Sequence, residues 1–297
     1  MNWDDARIFL AVARKGQILG AAKSLGLNHA TVARRITALE HDLGSTLFQR
    51  LPNGSELTTH GQYFLRYAEM MESASLMARE AAGADTALEG AVRVGAPDGL
   101  GVAFLAPRLG ELSERYPELR VELVPVPQAF SLSRREADIA ITLERPREGR
   151  LVTRKLTDYR LGLYAAPSYL KRYGTPATAT ELARHRLVGY VEDLIYTPSL
   201  DYTAQFSKEW RTTLAISSAI GQAASVRAGA GIGILHTFMA HGDHRLVPIL
   251  PELAIKRAYW TVIHENVRSL RRIAVVSKFL SEIVRRDRVV LAGPNRD

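Results

Sequence analysis

The chain has 297 residues, enough for two or three domains, and its hydrophobic and charged contents of 46% and 24% are those of an ordinary globular protein. Its net charge of +8 favours a polyanionic partner or an anionic ligand, but residues 1–60 hold only seven Lys and Arg against five acidic residues. The absence of cysteine excludes disulfides, thiolate nucleophiles and cysteine-based metal sites. No signal-peptide pattern and no run of about eighteen apolar residues is present, so we expect a cytoplasmic protein without a membrane partner.

Two short amphipathic helices joined by a tight turn are predicted between Gln17 and Leu43. In the first, apolar residues recur at helical spacing, at Ile18, Ala21, Ala22 and Leu25. The turn is Gly26-Leu27-Asn28, and Asn28 is placed to cap the next helix. In the second helix, steps of four, three and four give one apolar stripe, at Val32, Ile36, Leu39 and Leu43. A glycine-containing turn between two such helices is the helix-turn-helix signature.

The outward face of the second helix indicates what the motif binds. Arg34 lies almost opposite the apolar stripe, and Thr31 and Arg35 flank it. Most arginine pairs on helices form nothing more than a solvated charged face. A slim helix with small polar residues and arginine near its start nevertheless suits the major groove of DNA.

A β-hairpin is predicted directly after this helix. Asn53-Gly54 is a strong tight-turn signal, and apolar residues flank it at Leu47, Phe48, Leu51 and Leu57. A hairpin in this place is a wing, whose polar residues can touch phosphates or the minor groove. The predicted DNA-contacting residues are therefore Asn28, His29, Thr31, Arg34, Arg35, Arg50 and Asn53.

This segment resembles the winged helix-turn-helix of the LysR-type transcriptional regulators. The matching positions are 9–13, 21, 22, 25, 31–36, 39, 40, 43, 44, 47, 48, 50, 57, 58 and 61. The chain departs from the family at residues 16–19 and at Asn28-His29-Ala30, where Ser-Gln-Pro or Ser-Gln-Ser is common, which leaves the preferred base sequence open. The resemblance implies double-stranded DNA with an inverted-repeat operator as partner, contact with RNA polymerase, and a homodimer or dimer of dimers.

A long helix is predicted after the wing, with Thr59 and Gln62 as a capping box. Its apolar or small residues alternate steps of four and three, at Tyr63, Tyr67, Met70, Ala74, Met77, Ala81, Ala84 and Leu88. Such a stripe can pack on its own domain, but the unbroken heptad spacing favours pairing with a second copy. The resemblance implies the same, because the family dimerises through a linker helix here. Gly83 is an internal weak point of this helix.

Strands alternate with helices in the remaining chain, which predicts a mostly parallel α/β sheet. Strands are expected at residues 91–96, 121–124, 138–142, 187–190, 229–235 and 259–263, and helices at 99–116, 131–136 and 268–288. This part resembles the family's effector domain, most closely at residues 135–141, 165–170, 229–235 and 246–251. The resemblance implies two lobes around a cleft, as in periplasmic solute-binding proteins.

The predicted fold is therefore α/β overall, with three parts. Residues 1–58 form the winged helix-turn-helix, 59–89 the linker and dimerisation helix, and 90–297 the effector domain. In the effector domain, lobe I holds about residues 90–163 and 264–297, and lobe II about 164–263.

The effector is expected between the lobes. The turn Pro97-Asp98-Gly99-Leu100 follows a strand and opens a helix, so free amides face the crevice there. The resemblance adds the other pocket positions, Phe130, Ser131, Tyr190, Tyr196, Ser217 and Ser218. Asp98, where many relatives carry Ser or Thr, would repel a carboxylate unless paired and can instead bind a cation or a hydroxyl, so an aromatic acid is not assumed as the inducer.

Catalytic and metal chemistry find little support. The glycines at 229, 231 and 233 lack the spacing and the lysine of a phosphate loop, and Ser217-Ser218 lies in no nucleophile elbow. His236, His241, Asp243 and His244 match no standard metal site. We therefore predict no enzyme activity, metal or cofactor. The rival classes are a solute-binding protein with a DNA-binding-like head and a cytoplasmic enzyme, which DNA-shift and turnover assays would separate.

Overall fold

A computed structural model describes residues 2–51, 54–81, 88–126, 137–146 and 150–292, with backbone alone at residues 50, 51 and 79–81. The chain forms two compact units, one built mainly from residues 2–81 and the other mainly from residues 88–292. Among the described helices, none combines the length and the apolar character that crossing a membrane requires.

The first unit is a winged helix-turn-helix followed by a long helix. Its elements are α1 (Trp3–Lys15), α2 (Ile18–Leu25), α3 (His29–Leu43), β1 (Phe48–Leu51), β2 (Gly54–Leu57) and α4 (Thr59–Ala81). The strands pair antiparallel, with Phe48 opposite Leu57. The predicted Asn53, Gly83 and Ala84 lie outside the described residues.

Single residues fix the helix ends of this unit. Asn2 caps α1, accepting a hydrogen bond from the Asp4 amide at 2.9 Å. The predicted cap of α3 is confirmed, because Asn28 Oδ1 accepts from the Ala30 amide at 2.9 Å. Gly26, between α2 and α3, has a φ of 64°, in the left-handed region that glycine adopts without strain. The helix-turn-helix geometry is thus encoded locally.

The predicted stripe of α3 is buried except at its end. Val32 and Leu39 are fully buried and Ile36 nearly so. Leu43, the last member of the stripe, is 37% exposed. Leu43 is the last residue of α3, and the helix stops at Gly44 before its side chain reaches the core.

Phe9 joins three elements of the first unit. Its ring lies 5.1 Å from that of Phe48 in β1 and 4.8 Å, edge-on, from that of Phe64 in α4. Offset and edge-to-face aromatic pairs add to the stability gained from buried area. One side chain of α1 therefore holds the wing and the long helix against the same core.

The cap of α4 lies one residue earlier than predicted. Thr58 Oγ1 accepts a hydrogen bond from the Gly61 amide at 3.0 Å and donates to the Thr46 carbonyl at 2.7 Å. The capping box expected at Thr59 and Gln62 is therefore wrong. Because Thr58 ends the wing, its single hydroxyl fixes both the base of the wing and the start of α4.

The second unit contains a mixed sheet. Its strands are β3 (Gly90–Pro97), β4 (Leu119–Val126), β5 (Ile139–Thr142), β6 (Leu151–Ala165), β7 (Leu187–Gly189), β8 (Thr212–Ala215), β9 (Ile232–His236), β10 (Val247–Ile249) and β11 (Ile255–His264). Their order in the described sheet is β4-β3-β5-β11-β6-β9-β7-β8, with β10 on β6. The groups β4-β3-β5 and β8-β7-β9 are parallel, as predicted, whereas β5-β11, β11-β6 and β6-β9 are antiparallel.

Helices cover the sheet and connect its strands. They are α5 (Asp98–Leu100), α6 (Leu109–Arg115), α7 (Pro167–Tyr173), α8 (Ala219–Arg227), α9 (Thr237–Ala240), α10 (Arg271–Arg286) and α11 (Arg288–Ala292). A π turn at Gly101–Leu105 and a 3₁₀ turn at Ala106–Arg108 join α5 to α6. Further 3₁₀ turns lie at Thr180–Arg184, Glu192–Leu194, Pro198–Leu200, Thr203–Gln205, Pro251–Leu253 and Glu265–Val267. The helix predicted at 131–136 falls outside the described residues.

Two long antiparallel strands link the halves of the sheet. β6 and β11 pair from Leu151 opposite His264 to Leu161 opposite Ile255, with an irregularity at Tyr259 and Trp260. Lobe I is built on β3–β5 and lobe II on β7–β9, and these two strands cross between them. β6 was not predicted, because charged residues interrupt its first half and only its second half is buried. The crossing strands leave a cleft between the lobes.

We expect Leu39→Ala to destabilise the helix-turn-helix by about 2–5 kcal/mol, because Leu39 is fully buried and the truncation leaves a cavity. The same change at the exposed Leu43 should cost less than about 1 kcal/mol. Hydrogen exchange of the α3 amides across a urea series measures both. Equal losses at the two positions would contradict the assigned burial.

Candidate nucleic-acid interface and effector cleft

The exposed face of α3 carries the predicted contact residues. Arg34 is exposed and forms no hydrogen bond or ion pair with any described residue. Asn28 and His29 are exposed at the start of the helix, and Thr31 is half-buried beside them. The N-terminal half of α3 therefore presents one unpaired guanidinium and several small polar groups to solvent, which suits contact with phosphates and base edges.

Arg35 is placed differently from Arg34. Its Nε donates to Asp5 Oδ1, and its second guanidinium nitrogen lies 3.1 Å from Asp4 Oδ2. Asp5 is buried, so this pair ties α3 to the start of α1. A guanidinium held by two carboxylates is less available to bases than the unpaired one of Arg34. Sequence analysis did not predict this difference between the two arginines.

The wing is held by contacts that sequence analysis missed. Glu40 Oε1 accepts hydrogen bonds from the amides of Leu47 at 2.7 Å and Phe48 at 3.1 Å, where β1 begins. On the other strand, Ser55 donates its amide to the carbonyl of Gly16 at 2.7 Å. A Cβ on Gly54 would lie 2.5 Å from that carbonyl oxygen, so no side chain fits there. The wing is thereby anchored to α3 at one strand and to α1 at the other.

The two predicted wing contacts are described only in part. Arg50 lies in β1 opposite Ser55, and only its backbone is described. Asn53, at the tip, lies outside the described residues.

The predicted seam of α4 faces away from the first unit's core. Tyr63, Tyr67, Met70 and Met77 are 58%, 64%, 41% and 40% exposed, and Ala74 is exposed between them. Ala81 ends the helix, and its side chain is not described. The opposite face is buried at Ala68 and Ser73, and Glu72 forms a 2.7 Å ion pair with Arg14 of α1. An apolar stripe this exposed is characteristic of an interaction surface.

In the second unit, Asp98 bridges the two lobes. It follows β3 of lobe I and is only 8% exposed. Its Oδ2 accepts hydrogen bonds from Ser218 Oγ at 2.6 Å and, weakly, from the Ile220 amide at 3.4 Å. Ser218 in turn caps α8 of lobe II, accepting from the Gly221 amide at 3.1 Å. A carboxylate of one lobe is thus bonded to a helix start of the other.

A second carboxylate makes a similar bridge. Glu144, just after β5, accepts hydrogen bonds at Oε1 from Thr197 Oγ1 at 2.5 Å and from Ser199 at 3.0 Å for the amide and 2.9 Å for the hydroxyl. Thr197 and Ser199 belong to the segment after β7 in lobe II. The two lobes are therefore joined at two places by hydrogen bonds from side-chain and backbone donors of lobe II to a carboxylate of lobe I.

Tyrosines surround Asp98. Burial, with the charge of Asp98 adding to it, raises the pKa of Tyr196 to about 12 and that of Tyr190 and Tyr202 well above the ordinary range. Tyr259 is fully buried, its hydroxyl has no partner among the described residues, and burial raises its pKa as well. Their hydroxyls stay protonated at neutral pH and can both donate and accept hydrogen bonds.

His236 completes this group from the end of β9. Its ring stacks on Tyr159 at 5.2 Å, and Tyr159 stacks on Tyr259 at 4.1 Å. Desolvation lowers the pKa of His236 to about 4, although the charge of Asp98 opposes the shift. The imidazole is therefore neutral at pH 7 and supplies no counter-charge to Asp98.

A cavity of about 460 Å³ lies beside this group in lobe II. It shares Tyr190 and Tyr202 with the surround of Asp98 and is also lined by Trp210 and Gln222. Ligand pockets in proteins start at about 300 Å³, so a small metabolite fits.

The predicted effector residues are brought together in part. Asp98, Tyr190, Tyr196 and Ser218 lie together at the cleft. Gly99 is tightly packed there, because a Cβ on it would lie 3.2 Å from Ala219 and 3.3 Å from His236. Leu100 is fully buried behind the turn, and Ser217 is half-buried next to Ser218. Phe130 and Ser131 lie outside the described residues.

Sequence analysis missed Tyr202 and placed His236 among candidate metal ligands. The six-residue spacing of Tyr190, Tyr196 and Tyr202 was a signal that could have found the third tyrosine. His236 is the last residue of β9, one position beyond the predicted strand, and strand ends line clefts in α/β sheets.

A winged helix-turn-helix combined with a two-lobed α/β domain around a polar cleft defines a class of protein, the ligand-responsive regulators of transcription. Two family descriptions match the chain, "Bacterial regulatory helix-turn-helix protein, lysR family" over residues 3–62 and "LysR substrate binding domain" over residues 85–285. The chain belongs to the LysR-type transcriptional regulators. It is a DNA-binding regulator with an effector-binding domain and not an enzyme.

The similar proteins span between 62% and 95% of the chain. The transcriptional regulator CrgA of Neisseria meningitidis serogroup C is 30% identical over 84% of this chain and 86% of its own length. A solved CrgA structure from Neisseria meningitidis, 27% identical, covers 95% of this chain and 98% of its own, with a TM-score of 0.60. A regulator of Xanthomonas campestris pathovar campestris is 34% identical over 62% of this chain, and the match spans 54% of that relative.

Removing the Glu40 carboxylate should loosen the wing. In Glu40→Ala, the amides of Leu47 and Phe48 lose their acceptor, and we expect their hydrogen exchange to speed up by about tenfold or more. DNA affinity should fall with it. Glu56→Ala, which removes the same charge from the exposed side of β2, is the control and should leave both amides protected. Unchanged exchange in Glu40→Ala would refute the anchoring role.

Proposed function

We propose that α3 is the recognition helix and that Arg34 makes its principal DNA contact. The observation that carries this proposal is the contrast between two neighbouring arginines, because Arg34 is exposed and unpaired among the described residues, whereas Arg35 is bonded to Asp4 and Asp5. Thr31, Asn28 and His29 accompany Arg34 on the outward face of α3. In this proposal Arg35 contributes by orienting α3 against α1, and Arg50 and Asn53 of the wing hold the DNA backbone.

A homodimer would present two recognition helices to one operator. We base this on the exposed stripe of α4, whose tyrosines and methionines have the spacing of a coiled-coil seam. Two-fold symmetry then requires an inverted repeat with half-sites about one helical turn apart, or a multiple of that distance. Pairing of two such dimers into a tetramer is part of the proposal.

The effector would act by replacing the hydrogen bonds that close the cleft. Asp98, Gly99, Tyr190, Tyr196, Ser217 and Ser218 line the proposed site, Leu100 supports it from behind, and Tyr202 and His236 extend it. A ligand that takes the place of the Asp98–Ser218 or Glu144–Ser199 bond changes the relative stability of open and closed lobes. That shift would be passed to the bound DNA and to RNA polymerase. Because its operator is chromosomal DNA, we propose that the protein works in the cytoplasm.

Footprinting on the DNA upstream of the protein's own gene, across a salt series, tests the assignment of α3. Arg34→Ala should lower operator affinity by about 1–3 kcal/mol without affecting the unfolding midpoint, because the side chain is solvent-exposed. Arg35→Ala should lower the stability of the first unit as well, because it leaves the buried Asp5 unpaired. If Arg34→Ala keeps the affinity and the salt slope of the unmodified chain, α3 does not read the operator in the way proposed.

Replacing the exposed apolar stripe with charge should dissociate the dimer. We expect the double variant Tyr67→Lys and Met70→Lys to fall in sedimenting mass by about a factor of two, because two like-charged seams repel. Gln62→Lys, an equally exposed change off the seam, is the matched control. A mass that stays constant in the double variant would show that α4 does not form the interface.

A further inference from the structure

We propose that the effector carries a positive charge, an ammonium or guanidinium group, and that this group pairs with Asp98 in the cleft. The inference rests on the effector site proposed above and names the chemical class of its ligand. The evidence for it is the set of residues around the buried carboxylate of Asp98.

Asp98 lacks a counter-charge. It is 8% exposed, and no Lys or Arg nitrogen among the described residues lies within 4.0 Å of it. The bonds from Ser218 and Ile220 both reach Oδ2, which leaves Oδ1 without a hydrogen bond from any described residue. Burying a carboxylate is costly unless a cation or further hydrogen bonds compensate it.

The nearest basic group does not fill this role. A Cβ on Gly99 would lie 3.3 Å from His236 Cε1, so the imidazole packs against the Asp98-Gly99 turn. With a pKa lowered to about 4 by desolvation, this imidazole is uncharged at pH 7. Arg257 opposes the rise in pKa of Tyr159 and Tyr202, but it forms no ion pair with Asp98, and its guanidinium donates to the carbonyl of Lys256.

The tyrosines around Asp98 suit a cation. Tyr190, Tyr196 and Tyr202 all experience the charge of Asp98, and their hydroxyls form no hydrogen bond with a described residue. The unpartnered hydroxyl of the fully buried Tyr259 belongs to the same group. Ring faces attract cations, and phenol oxygens accept hydrogen bonds from N–H groups. The residue types in this group therefore offer both kinds of contact to an ammonium.

The side chains that line the adjoining cavity are, like Asp98, negatively charged on balance. Its lining contains the carboxylates of Glu192 and Asp201 against the single guanidinium of Arg211. Together with Asp98, these lining side chains carry more negative than positive charge, which favours a cation over an anion, and a concave low-dielectric wall strengthens that field. A carboxylate ligand would meet Asp98 with no cation between the two charges.

The alternative interpretation is that Asp98 only stabilises the N-terminus of α8. Its Oδ2 lies at the helix N-terminus, where a negative charge stabilises the helix dipole. That role uses one oxygen and accounts for neither the open Oδ1 nor the surrounding hydroxyls. The two interpretations predict different effects of removing the Asp98 charge on the stability of the protein without ligand.

Calorimetric titration of the full chain with three probes of one carbon skeleton tests the charge. We expect 3-methylbutylamine to bind about tenfold or more tightly than 3-methylbutanol, and 3-methylbutanoate not to bind. Agmatine and benzylamine extend the cationic set to a longer and a flatter shape. Tighter binding of the acid than of the amine, or the absence of binding by all three cations, would overturn the proposal. This comparison needs no variant and therefore does not depend on mutant folding.

Asp98→Asn identifies the site. We expect it to abolish the preference for amines while leaving the unfolding midpoint of the empty protein unchanged or higher, because the amide keeps the acceptor for Ser218 and removes the buried charge. Glu252→Gln, which removes one exposed charge, should keep the preference. If the unfolding midpoint of Asp98→Asn falls by several degrees and the variant still binds amines, the role of Asp98 is only to stabilise α8. Operator footprinting without probe is independent of these results, so intact DNA binding with no amine binding refutes only the effector class.

Discussion

The second unit depends on one constraint, the antiparallel pairing of β6 with β11. These two strands carry the chain between the lobes, and their ladder continues across the irregularity at Tyr259 and Trp260. Parallel groups on either side can then change their mutual angle without breaking their own hydrogen bonds. The buried stack of Tyr159 on Tyr259 lies on the same strands, directly beside the surroundings of Asp98. The packing at the crossing therefore borders the proposed effector site.

Local signals explain what could be predicted from the sequence. Caps, left-handed glycines and helical periodicity act within a few residues, so the helix-turn-helix and the cap at Asn28 followed directly from them. The limits of prediction were local as well, because Leu43 is the exposed end of the stripe and the cap of α4 is Thr58, one residue before the predicted Thr59. The helical periodicity of apolar residues shows which side of a helix is apolar but not where along the helix the core ends.

Long-range pairings explain what could not be predicted. β6 carries charges along its first half. Asp158 pairs with Lys155 of the same strand, but its second partner, Lys256 of β11, reaches it only once β6 lies beside β11. The bonding of Arg35 to Asp4 and Asp5 and of Glu40 to the wing amides depends on tertiary structure in the same way. At the cleft, Tyr202 and His236 come from different segments of lobe II, and no pattern in the sequence joins them. Residue types indicated a pocket, whereas only the fold reveals which charges it leaves without a partner.

The hydroxyl of Thr58 connects the wing to α4, and this has a consequence for how such a regulator can evolve. Because the wing base and the helix start share one side chain, the reading head and α4 rotate as one body. Each residue inserted into α4 beyond this point would turn the dimer seam by about 100° and advance it by about 1.5 Å relative to the head. In the proposed dimer, base preference is determined on α3 and half-site separation by the phase of α4. The two properties can therefore drift separately, and a new operator spacing can be acquired without altering any residue that touches a base.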